Sequence, residues 1–72
     1  MYINSPHWEE RRRKQALKQS RKQFDELSDA INQAYRSFNS VSDPALMEAC
    51  IHEINALRSK RDSVLREIRK LE

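Results

Sequence analysis

Asn39-Ser40-Val41-Ser42-Asp43-Pro44 is the stretch that decides the fold of this chain. Asp43 is suited to cap a helix, because its carboxylate can accept a hydrogen bond from a free backbone N–H of the first turn. Pro44, at the first helical position, gives up an N–H that would have no intrahelical partner. The residue ahead of a proline is pushed out of the helical region, so a helix arriving from upstream must stop by Ser42. Asn39, Ser40 and Ser42 are turn and cap formers. The chain contains no glycine, so polar residues and proline make the stop rather than a glycine C-cap. A connection this short leaves the flanking helices antiparallel neighbours. The competing reading is one helix kinked at Pro44. Proline preceded by Ser-Val-Ser-Asp breaks a helix more readily than it kinks one.

Upstream, Ser5-Pro6 repeats the device, a capping residue and then proline at the first helical position, with Met1 to Asn4 as a loose tail. Glu9 and Glu10 have the sign that a helix N-terminus prefers. Helix 1 is expected from about residue 6 to about 39, on the order of 50 Å long at 1.5 Å per residue. Leu17, Phe24, Ile31 and Phe38 recur every seven residues, and Ser20, Leu27, Ala34 and Val41 form the alternate set. That is a heptad seam, which Ala30 and Tyr35 flank. Trp8 falls off it.

Downstream, helix 2 is expected from 44 to about 70. Its seam is Met47, Cys50, Ile54, Leu57, Arg61, Val64, Ile68 and Leu71. Arg61 interrupts the stripe and is expected to lay its stem along apolar surface while its charge reaches water. Ile51 and Leu65 lie beside the seam, so the stripe is broader than a two-helix contact needs. Asn55-Ala56 is a candidate close-approach point, with Asn55 bonding across the helices or to a partner chain.

Seventy-two residues make a single domain, residues 1–72, in the size range where one core seldom suffices without staples or a partner. The single cysteine excludes an intramolecular disulfide and gives no reason to invoke an oxidising compartment. No apolar run approaches transmembrane length, and Met1 to Trp8 has no signal-peptide hydrophobic stretch. The cytoplasm is the expected setting. The fold class expected is all-α, an antiparallel two-helix hairpin. Isolated hairpins of this size are marginal, so dimerisation into a four-helix bundle, or docking on another helical protein, is expected. Tyr35, Ile51 and Leu65 are the expected association surface, with Trp8 also partly wet.

Charge is distributed unevenly along this hairpin. Residues 1–22 and 58–72, which share the open end, carry thirteen cations and five carboxylates, a net of +8. The turn half holds Arg36 against six carboxylates, a net of −5. Opposite-sign neighbours at Glu10–Lys14, Lys22–Glu26 and Asp62–Arg66 are expected to support the helices. A basic open end of Arg11, Arg12, Arg13, Lys14, Arg21, Arg66, Arg69 and Lys70 is a candidate polyanion contact, for nucleic acid, a lipid surface or an acidic protein. Head-to-tail association would set +8 against −5.

Sharper motifs fail on their residues. A basic-leucine-zipper region reads Asn-x-x-Ala-Ala-x-x-Ser/Cys-Arg. Ala16, Ser20 and Arg21 fit it, but Arg13 replaces the base-reading Asn and Leu17 the second Ala. What is left is weak, salt-sensitive phosphate contact. Cys50 and His52 are two apart on a helix and point to different faces. With Glu48 they do not complete a metal set, so no metal or other cofactor is expected. There is no Gly-rich phosphate loop and no support for nucleophilic or acid–base catalysis, so an enzyme is not expected. Trp8 reads as a lid over the open end or, beside Arg11 to Lys14, as an anchor for a membrane interface or a base stack.

Ala34-Tyr35-Arg36-Ser37-Phe38, the Asp43-Pro44 turn with Ala45-Leu46-Met47, and Cys50-Ile51-His52-Glu53-Ile54-Asn55-Ala56-Leu57 together resemble the YaaL-like family of small Firmicutes proteins, a domain of unknown function. That family shows an aromatic-x-x-Phe, a short polar segment, Asp-Pro, and an Ile-x-x-x-Asn-Ala helix core. The resemblance spans about residues 31 to 68 and implies the hairpin without implying any activity or catalytic residue. Arg61 departs from it, standing where an aromatic is expected. The basic segment before Leu17 has no counterpart in it. The function expected is therefore that of a small non-enzymatic interaction or assembly module. The alternative is weak, sequence-nonspecific polyanion binding.

Overall fold

The computed structural model describes residues 6–72 as two α-helices, α1 (His7–Ser40) and α2 (Pro44–Leu71), packed antiparallel as a hairpin. Residues 41–43 join them. The helix ends lie within a residue of the expected positions.

The turn is built as its residues dictate. Asp43 is extended (φ −75°, ψ 122°), and its Oδ1 accepts from the Ala45 N–H at 3.0 Å. Its carbonyl takes the first intrahelical bond, from the Met47 N–H at 2.9 Å. Pro44 occupies the first turn, where its missing N–H costs nothing. On the other side, the Ser40 hydroxyl donates to the Ser37 carbonyl at 3.0 Å, covering one of the acceptors that a helix C-terminus leaves open. Val41 is extended (φ −99°, ψ 148°), and no described residue has positive φ. The chain turns back through extended backbone, so it needs no glycine.

The start of α1 differs from expectation. Pro6 is extended (φ −61°, ψ 153°) and sits at the N-cap rather than inside the first turn. Its carbonyl accepts from the N–H groups of Glu9 (3.0 Å) and Glu10 (3.2 Å). The expected cap, Ser5, lies outside the described residues.

Every member of both expected seams is buried or half-buried, including Ser20, Cys50 and Arg61. The most enclosed are Ala34 (3% exposed), Ile31, Ile54 and Ile68. Arg61 lies in register with Phe24, and its guanidinium carbon stands 6.0 Å from the ring centroid. The stem therefore runs along apolar surface while the charge faces a ring.

Among the described residues, none of the three expected i,i+4 ion pairs closes to within 4.0 Å. Exposed pairs gain little over hydration, and ordering two long side chains opposes them. The ion pairs that do form are Arg21–Glu72, at 2.8 Å between the helices, and Glu48–His52, a 3.5 Å contact ionic only when the imidazole is protonated. Asn55 and Ala56 are exposed, and Asn55 makes no bond across the hairpin among the described residues. They sit outside the seam, so they are not a point of close approach between α1 and α2.

No helix of the described chain is long and apolar enough to cross a membrane. The molecule is a rod: its radius of gyration is 17.8 Å, against about 11 Å for a compact chain of this length.

Candidate interaction surface

The two rows that follow the seam by one residue are Lys14, Arg21, Ser28 and Tyr35 on α1, and Ile51, Arg58, Leu65 and Glu72 on α2. Antiparallel pairing turns both rows to the same edge of the hairpin. The Arg21–Glu72 ion pair joins a member of each row and fixes that geometry. The three residues expected to carry association therefore share one edge. Tyr35 (43% exposed) and Ile51 (45%) lie opposite each other near the turn. Leu65 is half-buried farther toward the open end, level with Arg21.

Sequence reasoning missed Leu46, at 53% the most exposed large apolar residue among those described. It precedes seam residue Met47 by one position and so lies on the opposite edge, at the turn end of the row that also carries half-buried Ala30 and Ala16 farther along α1. The signal was its place one step before the seam, in the first turn of α2.

The basic residues do not form one patch. α1 has 34 residues and α2 has 28, so the start of α1 runs past Leu71 by about six residues, roughly 9 Å. Arg11, Arg12, Arg13 and Lys14 are all exposed here and point around the helix in turn. Arg11, Lys14, Arg21 and Arg69 face the Tyr35–Ile51 side. Arg12 and Lys70 face the other side, and Arg66 faces away from the partner helix. Arg13 continues the line of the seam at the level of Leu71.

The Trp8 ring is half-exposed, and the Arg12 guanidinium carbon lies 4.6 Å from its centroid. This i,i+4 stack holds the indole on the outer side of α1. Trp8 is thus not a lid. The mouth of the hairpin is an open groove of about 390 Å³ lined by Glu9, Glu10, Arg12, Arg13, Ala16 and Leu71. It is open to solvent and four of its six lining residues are charged, so it does not enclose a ligand as a small-molecule pocket does.

Cys50 is half-buried in the seam and His52 is exposed on another face. Among the described residues, no group of three His, Cys, Asp or Glu side chains could hold a metal ion. No protein-family model, curated protein or solved structure matches this chain.

Proposed function

We propose that this chain is a small non-enzymatic assembly module that associates through the edge formed by Tyr35, Ile51 and Leu65. Its partner is a second copy, and the two hairpins form a four-helix bundle. The observation that carries this reading is the pairing of exposed Tyr35 and Ile51 on one edge of a hairpin with only four buried residues among those described. Shape supports it. A rod 64 Å long and only two helices wide leaves a long edge uncovered, and a standard interface removes about 800 Å² from each partner. The resemblance to the YaaL-like family belongs to this proposal, as does a cytoplasmic setting, since one cysteine leaves no internal disulfide to protect.

The test is solution mass by light scattering after gel filtration, at low and high salt. Twice 8.6 kDa is expected at both salts, with Ile51→Glu giving a folded species of 8.6 kDa. A folded wild-type monomer at high concentration would overturn the reading.

A second reading, polyanion contact through Arg11, Arg12, Arg13 and Lys14, is favoured by one observation. These four cations are exposed at the open end, where the start of α1 runs past α2.

A further inference from the structure

We infer that the second copy docks antiparallel on the Tyr35–Ile51 edge, about a twofold axis at the level of Ser28 and Arg58, with Glu48 of each chain against Arg69 of the other. The inference rests on the assembly proposed above and adds its orientation and register.

The edge itself supplies the register. Ser28 and Arg58 stand level at its centre. Seven residues toward the turn lie Tyr35 and Ile51, and seven toward the open end lie Arg21 and Leu65. A twofold axis through the centre exchanges these two levels. Ile51 then lies on Leu65 of the second copy, so each apolar residue on the edge of α2 covers another. Tyr35 meets Arg21, whose stem and guanidinium suit an aromatic face. Small, half-buried Ser28 lets the two α1 helices approach.

The neighbouring row follows the same rule. Three residues before Ile51 comes Glu48, and four after Leu65 comes Arg69, both exposed. The axis brings these two together twice, once at each end. It also sets Lys14 near Asp43 of the second copy, at the turn. Every adjacent helix pair in the bundle is then antiparallel, which is the up-down arrangement that short connections favour.

Charge argues against the parallel alternative. A parallel dimer would set the +8 halves side by side and the −5 halves side by side. The antiparallel dimer sets +8 beside −5 at both ends. It leaves Arg11, Arg12 and Arg13 beyond the covered region, since the turn of the second copy reaches only about the level of Lys14.

The decisive experiment is a charge exchange read by sedimentation equilibrium at low salt. Glu48 and Arg69 are 21 residues apart on one helix, about 31 Å, so they cannot compensate each other within a chain. Glu48→Lys and Arg69→Glu alone should each weaken the dimer roughly tenfold, because each reverses two symmetry-related contacts. The double variant, Glu48→Lys with Arg69→Glu, should recover to within about threefold of wild type. A wild-type dimer whose double variant is no tighter than the weaker single variant overturns the register while leaving self-assembly standing. A wild-type monomer overturns both, and assigns the edge to a different protein. Both positions are exposed, and unchanged helical circular dichroism identifies the variants as folded.

Discussion

Asp43 concentrates more of the fold in one side chain than any other residue. Its Oδ1 caps α2 through the Ala45 N–H, its carbonyl opens the helical ladder to Met47, and its place before Pro44 keeps it extended. Asp43→Ala should cost about 1 kcal/mol, while Asp43→Asn, which keeps the acceptor, should cost a few tenths at most; urea denaturation would measure both. Asp43 was legible because Asp-Pro has one favoured reading. Ser40 was legible as a stop, though not as the particular residue that closes back on the Ser37 carbonyl. The placement of Pro6 was not legible. Proline at the N-cap and proline at the first helical position use nearly the same φ, and only ψ, 153° here, tells them apart. Trp8 was misread because its partner is a local guanidinium, whereas the heptad pattern describes only contacts between helices.

At the scale of the helices, Ile51 and Ile54 show how a single turn separates a core residue from one on the open edge. They are three residues apart on α2, yet Ile54 is 5% exposed and Ile51 45%. Ile54→Ala should destabilise the hairpin by about 2–3 kcal/mol, toward the low end for such truncations because the core is only one seam thick. Ile51→Ala should change folding by no more than about 0.5 kcal/mol. Chemical denaturation at low protein concentration, where the proposed dimer would be dissociated, is the comparison required. Both seams were legible from their sevenfold spacing, down to the half-buried Arg61, since period and burial are two views of one helix face. Three things were not. Leu46 hides beside the seam in a first turn already explained by its cap. Asn55 looked like a cross-helix donor by residue type but follows seam residue Ile54 by one position and is exposed. The ion pair that spans the helices, Arg21–Glu72, joins residues 51 apart, which no local pattern can show.

For the whole molecule, shape and charge act together. A rod with +8 in one half and −5 in the other presents two ends of opposite character. If the tip of α1 contacts a polyanion, the contact is with phosphate rather than base edges, and salt must govern it. Replacing Arg11, Arg12 and Arg13 with Gln should then lower affinity for a fluorescent DNA duplex at least tenfold in low salt. The slope of log K against log salt should fall by about 3. Fluorescence anisotropy across a salt series would show this, and duplex binding that survives the triple change would sink the polyanion reading. The axial charge division was legible because antiparallel folding follows from a short connection alone. Its division between edges was not, since that needs to be known together with which rows of α1 and α2 meet.

The three-residue connection also dictates an order of events. Phe38 and Met47, the first seam partners beyond the turn, enclose fewer than ten residues, whereas Leu17 and Ile68 enclose about fifty. Loop-closure entropy rises with the length enclosed, so the first pairing is the easiest. Each completed level then shortens the loop that the next must close. The hairpin is thus a zipper whose teeth engage from the Asp43-Pro44 end, and rapid folding follows from contacts that are each local once the previous one has formed. Fraying runs in reverse. The basic tips of α1 are the last to be held and the first released, so the part of the molecule with the most charge is also the part with the greatest freedom to conform to what it meets.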